Sequence, residues 1–210
     1  MTEAEIKNRL ARVYAAFGDK TNLKPEDFEP EVQSSEDGFT LTQDFRGGRS
    51  QEDLDGDAAS IINEIMGIRD RTKKWLRNSG GDDSKVDTFI KSDQAVSLVH
   101  DLANTDKHGE LDGPPFSGHK PNLVKVDRFA TLKYDRSTGT YAKSGQIIGA
   151  PFDFQTGEIS GSGTSSNMEV VLGSDIHDEN GNKIGELQKV LPDAIYKWEQ
   201  FLISEGLSLK

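Results

Sequence analysis

Residues 101–111 read DLANTDKHGEL, the stretch whose side chains are best suited to chemistry. On a helix, Asp101 and Asn104 are three apart, and Asn104 and His108 four apart, so the three share a face. His100 lies one turn before Asn104 on nearly the same side. The dipole at a helix C-terminus favours His108 as its cation, and Asn104 is placed to bond His108 or a partner chain. A plain structural account competes with a reaction site. In it, Lys107 and His108 compensate the dipole, Gly109 ends the helix and Asn104 is a bonded spacer.

The other candidates carry less. Asp53, Asp55, Asp57 and Glu64 occupy places one, three, five and twelve of an EF-hand loop, but Ala58 stands at the sixth, where the bend needs glycine. Ile61, Ile62 and Ile65 keep helical spacing through the same stretch, so these acids read as the first turns of a helix. Asp175, His177, Asp178 and Glu179 flank Asn180-Gly181, a hairpin-turn pair, and no second histidine cluster completes a metal shell. His119 is a lone loop histidine. No phosphate loop, dinucleotide fingerprint or nucleophile elbow occurs. The residues therefore point to no cofactor and no metal.

Composition narrows the classes further. The chain has 210 residues, enough for one core, and the sequence is expected to form a single domain over 1–210. It lacks cysteine, which excludes thiol chemistry and disulfides. The formal charge of −11 opposes nucleic acid and anionic membranes, so RNA is a disfavoured partner. One local exception is Arg69, Arg71, Lys73, Lys74 and Arg77, opposed only by Asp70, which is either an anion site or a solvated helix face. No stretch approaches the length of a membrane span, and the N-terminus lacks the apolar run of a signal peptide. The expectation is a cytoplasmic prokaryotic protein with no membrane contact.

Period and punctuation set the elements that must position these residues. Ile6, Leu10, Val13, Tyr14 and Phe17 mark a helix over 3–17, closed by Gly18. The segment to 49 reads as loop, with a short strand near 38–45. A helix follows over 51–77, capped by Ser50, and another over 84–107, with a fresh start capped by Ser92. The period then shortens to two. Residues 122–134 read as a strand that turns at Ser137-Thr138-Gly139 and returns over 140–149. Residues 156–166 loop out, and 168–177 and 183–187 flank the Asn-Gly turn. Pro192 opens a last helix over 192–204, with Val190 and Leu191 leading in. The fold class expected is α+β: a helix pair over 51–108, a β insert over 119–188 and a closing helix over 190–204.

DLANTDKH resembles the DLaN-x-x-KH helix ending of uncharacterised bacterial proteins with a HEPN-like helical domain. The two helices before it, the insert after it and the ending VLPDAIYKWEQFL fit the same pattern over about 51–204. The resemblance implies a small helical bundle that often forms a homodimer. Active members are metal-independent ribonucleases of toxin–antitoxin, abortive-infection and CRISPR systems, with an R-x4–6-H site. There the arginine holds the scissile phosphate and the histidine acts as general acid or base. Here Asn104 and His108 match, but the arginine position falls on Ala103. The resemblance therefore implies a binding or assembly protein with protein partners, in which Asp101 and Lys107 contribute. The alternatives are a ribonuclease whose arginine is displaced to Arg69, Arg71 or Arg77, or a plain interaction module in which the stretch only fastens a helix.

Overall fold

A computed structural model describes residues 2–21, 31–35, 38–42, 44–108, 113–132, 134–135, 140–141 and 168–209. The first helix, α1 (Glu3–Thr21), runs through Gly18, a single glycine whose helix penalty is only about 1 kcal/mol. A two-stranded hairpin follows, β1 (Glu31–Ser35) and β2 (Gly38–Thr42). The expected strand near 38–45 is therefore present, with a partner that the prolines around it concealed.

The long helix α2 (Gln51–Ser79) begins where the sequence says it must. Ser50 and Asp53 form a reciprocal capping box, and Gly80 ends the helix at φ 78°. Leu54, Ala58, Ile61, Ile65 and Ile68 make a fully buried stripe along it. The helix passes without interruption through 53–64, so the EF-hand spacing forms no calcium loop. Gly67 lets α1 approach. The Arg9 guanidinium lies over it and donates to the carbonyls of Asn63 and Glu64, and a Cβ at Gly67 would sit 1.9 Å from Arg9 Nη2.

The chain then breaks into α3 (Ser84–Ser92) and α4 (Gln94–His108). The break is where the sequence puts it, but the cap is Asp93, whose carboxylate accepts from Val96 N at 3.0 Å. Ser92 turns back to the Phe89 carbonyl instead, at 2.8 Å. A carboxylate is the stronger acceptor at a helix N-terminus, where the dipole favours negative charge.

The expected strand 122–134 is divided into β3 (Asn122–Leu123) and β4 (Asp127–Leu132), with a short β5 (Tyr134–Asp135) after it pairing with β6 (Thr140–Tyr141). β3 pairs with β8 (Asp175–His177), and β4 with β7 (Met168–Gly173), all antiparallel. Between Asn122↔His177 and Asp127↔Gly173 one side advances five residues and the other four. The extra residue is a bulge, and it turns Val126 into the core. β9 (Lys183–Glu186) pairs with β8 across the Asn-Gly turn, so β3 is an edge strand in the order β3-β8-β9. The expected turn at 137–139 and loop at 156–166 lie outside the described residues.

The last helix, α5 (Leu187–Ser204), starts five residues earlier than the sequence suggests. Leu187, Val190 and Leu191 are buried, and their burial extends the helix backward past Pro192. Pro192 therefore sits inside the helix, where its ring nitrogen has no N–H to donate. The class is α+β as expected: among the described residues, five helices with small antiparallel sheets. Residues of all five helices join one core cluster, to which Val126, Leu172 and Ile176 of the strand region add. No helix among the described residues is long and apolar enough to cross a membrane.

Candidate functional site

Asp101 faces inward from α4 and is 1% exposed. Its carboxylate accepts from Phe116 N at 3.2 Å, Ser117 N at 2.7 Å and Ser117 Oγ at 2.7 Å. Burial pushes its pKa up, but the bonds from His100, Ser117 and Phe116 outweigh that and hold it below the ordinary value. One carboxylate thus pins the GPPFSGH segment onto the helix. The neighbouring imidazole completes the clamp. His100 Nδ1 lies 3.0 Å from Asp101 Oδ1 and 3.3 Å from Asn104 Nδ2. One nitrogen cannot serve both, and the shorter contact to an anion favours a proton on Nδ1. The ring stacks on Phe116 at 4.3 Å, and Lys91 Nζ lies 4.9 Å from the Phe116 ring on the same stack.

The polar stripe read from the sequence therefore divides. Asp101 turns to the 113–119 loop, and Asn104 reaches back to His100. α4 ends at His108; the side chains of Lys107 and His108, and Gly109 itself, lie outside the described residues. Ala103, where the ribonuclease pattern has arginine, is fully buried.

The basic run sits elsewhere. Arg69 and Lys73 of α2 both pair with Asp87 of α3, at 2.9 and 2.5 Å, and Arg77 pairs with Asp83 at 3.0 Å. Arg71 is half-buried and close enough to help lower the pKa of Arg9. The end of α4 lies beside the first half of α2, where Asp55, Ala59 and Ile62 share a cleft with Leu102 and Thr105. At 1.5 Å per residue, Arg69 and Arg77 stand about 10 and 22 Å farther along α2 than Ile62. The fold brings these cations to α3, at the other end of α2 from this cleft.

That cleft, of about 440 Å³, is closed on its third side by residues 121–126, which are β3 and the bulge after it. Gln51 ties the two sides together. Its Nε2 donates to Asp55 Oδ1 at 2.9 Å and to the Val126 carbonyl at 2.8 Å. Behind the bulge, Arg46 grips Asp127 with two bonds of 2.9 and 2.8 Å. These bonds hold the Asp127 pKa down at about 2.

No family model, curated protein or solved structure matches this chain. At the hairpin tip, Asp178 accepts from Asn180 N, Asn182 N and Asn182 Nδ2, so it serves as the turn's own anchor. His119 lies in the loop that Ser117 organises, with Lys120 N bonded to Glu179. Among the described residues no three potential metal ligands lie together. Sequence reasoning missed Phe116 and Ser117, which complete the Asp101 clamp, and Arg46, Asp57 and Arg128, which hold the cleft wall. The available signal was an aspartate set between Leu98, Val99, Leu102 and Ala103, positions whose spacing is that of a buried face.

Asp127 makes stability depend on pH in a known direction. Its folded pKa of about 2 is below the ordinary 3.8, so its contribution is present above pH 3.8 and is lost as pH falls toward 2. The urea midpoint should drop across that window, and Asp127→Asn should flatten the drop. A wild-type midpoint that holds constant from pH 4 to about 2 would contradict this account.

Proposed function

We propose that this protein is a non-catalytic binding and assembly module of HEPN-like construction, a cytoplasmic component of a toxin–antitoxin or phage-defence system. The observation that carries the reading is the use to which Asp101, His100 and Asn104 are put. Asp101 bonds to His100 and to the 113–119 loop, and Asn104 lies against His100, as the parts of a clamp do. Phosphate cleavage of the R-x4–6-H type needs a guanidinium beside the histidine, to hold the phosphate and offset its charge. Ala103 offers none, and Arg69 and Arg77 are bound to aspartates near α3. A binding role agrees instead with the open cleft that Leu102 and Thr105 help to line, at the end of the same helix.

The test is incubation of the pure protein, without metal, with structured and with single-stranded RNA. Both substrates are expected to stay intact. Cleavage that His108→Ala abolishes would replace this reading with a ribonuclease.

A further inference from the structure

We infer that the cleft between α2, α4 and residues 121–126 takes an extended peptide strand, with an aliphatic side chain inside and a lysine or arginine on Asp55. This rests on the binding reading and names the partner chemistry. Three features converge on it. First, β3 is the edge of its sheet, and among the described residues its other edge has no strand neighbour. Such an edge offers main-chain donors and acceptors to an incoming strand. Second, the interior is aliphatic, lined by Ala59, Ile62, Leu102 and Leu123, and Val124 stands 56% exposed on the bulge beside it.

Third, the charge at the rim is negative. Asp55 lines the cleft, is exposed, accepts a bond from Gln51 and meets no cation among the described residues. Glu52, also exposed, lies one turn earlier on the same face. Lys125, the one cation in the lining, is turned to Asp127 at 3.2 Å. The overall charge of −11 steers a cationic partner in the same sense. Spacing sets the pattern. Asp55 and Ile62 are seven residues apart on α2, about 10 Å along the axis. Same-face residues of a strand are about 6.7 Å apart, and the length of a lysine or arginine side chain covers the rest. The motif is an aliphatic residue and a basic residue two positions apart.

A positional-scanning octapeptide library, screened against the full chain by fluorescence polarisation, tests this. The expected selection is an aliphatic residue with Lys or Arg two positions away. Asp55→Lys should move the preference at the basic position to Glu or Asp. Val124→Asp should weaken the selected peptide by roughly tenfold or more, as should N-methylation of alternate peptide amides. Both substitutions are at exposed positions, and circular dichroism confirms that each variant is folded. No selection, selection of a helical or acidic pattern, or indifference to Asp55→Lys or to N-methylation would each overturn the inference. A blank screen with RNA still uncleaved defeats only the peptide; RNA cleavage dependent on His108 defeats the binding reading itself.

Discussion

Replacing Asp101 with alanine should lower the unfolding free energy by about 3 kcal/mol, measured from the urea midpoint at unchanged slope. The carboxylate accepts two backbone N–H groups and one hydroxyl, and the His100 imidazole lies against it at 3.0 Å. Hydrogen bonds to a charged group contribute about 1.5–3 kcal/mol each, so their simple sum would exceed the stated figure. Two effects reduce it. Phe116 and Ser117 are only half-buried, so their freed N–H groups regain water, and removing the charge also removes its desolvation cost. Asp101→Asn should fall between wild type and alanine. It keeps one acceptor but turns an NH₂ toward donors that had met an anion. Asn104→Ala removes only a 3.3 Å contact that a protonated His100 Nδ1 cannot accept, so it should cost clearly less than Asp101→Ala. Hydrogen exchange at the Ser117 amide should accelerate in Asp101→Ala. A loss below about 1 kcal/mol with that amide still protected would show that Asp101 is not the clamp.

What the sequence made legible followed from local rules. The α2 helix, its Ser50 cap, the break after Ser92 and the Asn-Gly hairpin each rest on residues within a turn or two of one another. What it concealed depends on distant partners. Asp101 looked like part of an exposed stripe with Asn104 and His108, because its donors lie 15 and 16 residues later on a loop with no periodic signal. The Arg69–Arg77 run looked like a solvated face or an anion site, because Asp87 reaches it only through the turn between α2 and α3. The bulge between β3 and β4 is invisible in 122–134 taken alone, since register is a property of two strands. The start of α5 was misplaced for a similar reason: burial of Leu187 against the rest of the core outweighs a proline that lacks one hydrogen bond. The motif that carries the family resemblance is an eight-residue helix ending, and its Asp101 is bonded to the 113–119 loop rather than exposed beside Asn104.

The three aspartates that open α2 look alike in sequence and separate sharply in structure. Asp53 caps the helix through Ser50, Asp55 is exposed at the cleft, and Asp57 is 4% exposed beneath two arginines. Arg49 Nη2 lies 3.0 Å from Asp57 Oδ2, and Arg128 Nη2 3.4 Å from the same oxygen. The Arg128 side chain is 7% exposed, and burial and then Arg49 lower its pKa, with Asp57 opposing them. Asp57→Ala should therefore destabilise the protein by about 3–5 kcal/mol, because it leaves a buried guanidinium without its carboxylate. Arg49 is more exposed and can turn to water or to Asp53, so its loss adds little. The cost lies in the stranded charge of Arg128, and that makes a sharper test. If Arg128 is also changed, to Met, the double variant should recover much of the loss, since no buried charge is then left unpaired. Thermal denaturation of the two single variants and the double gives the coupling directly. Simple additivity would mean that Asp57 and Arg128 act independently of each other.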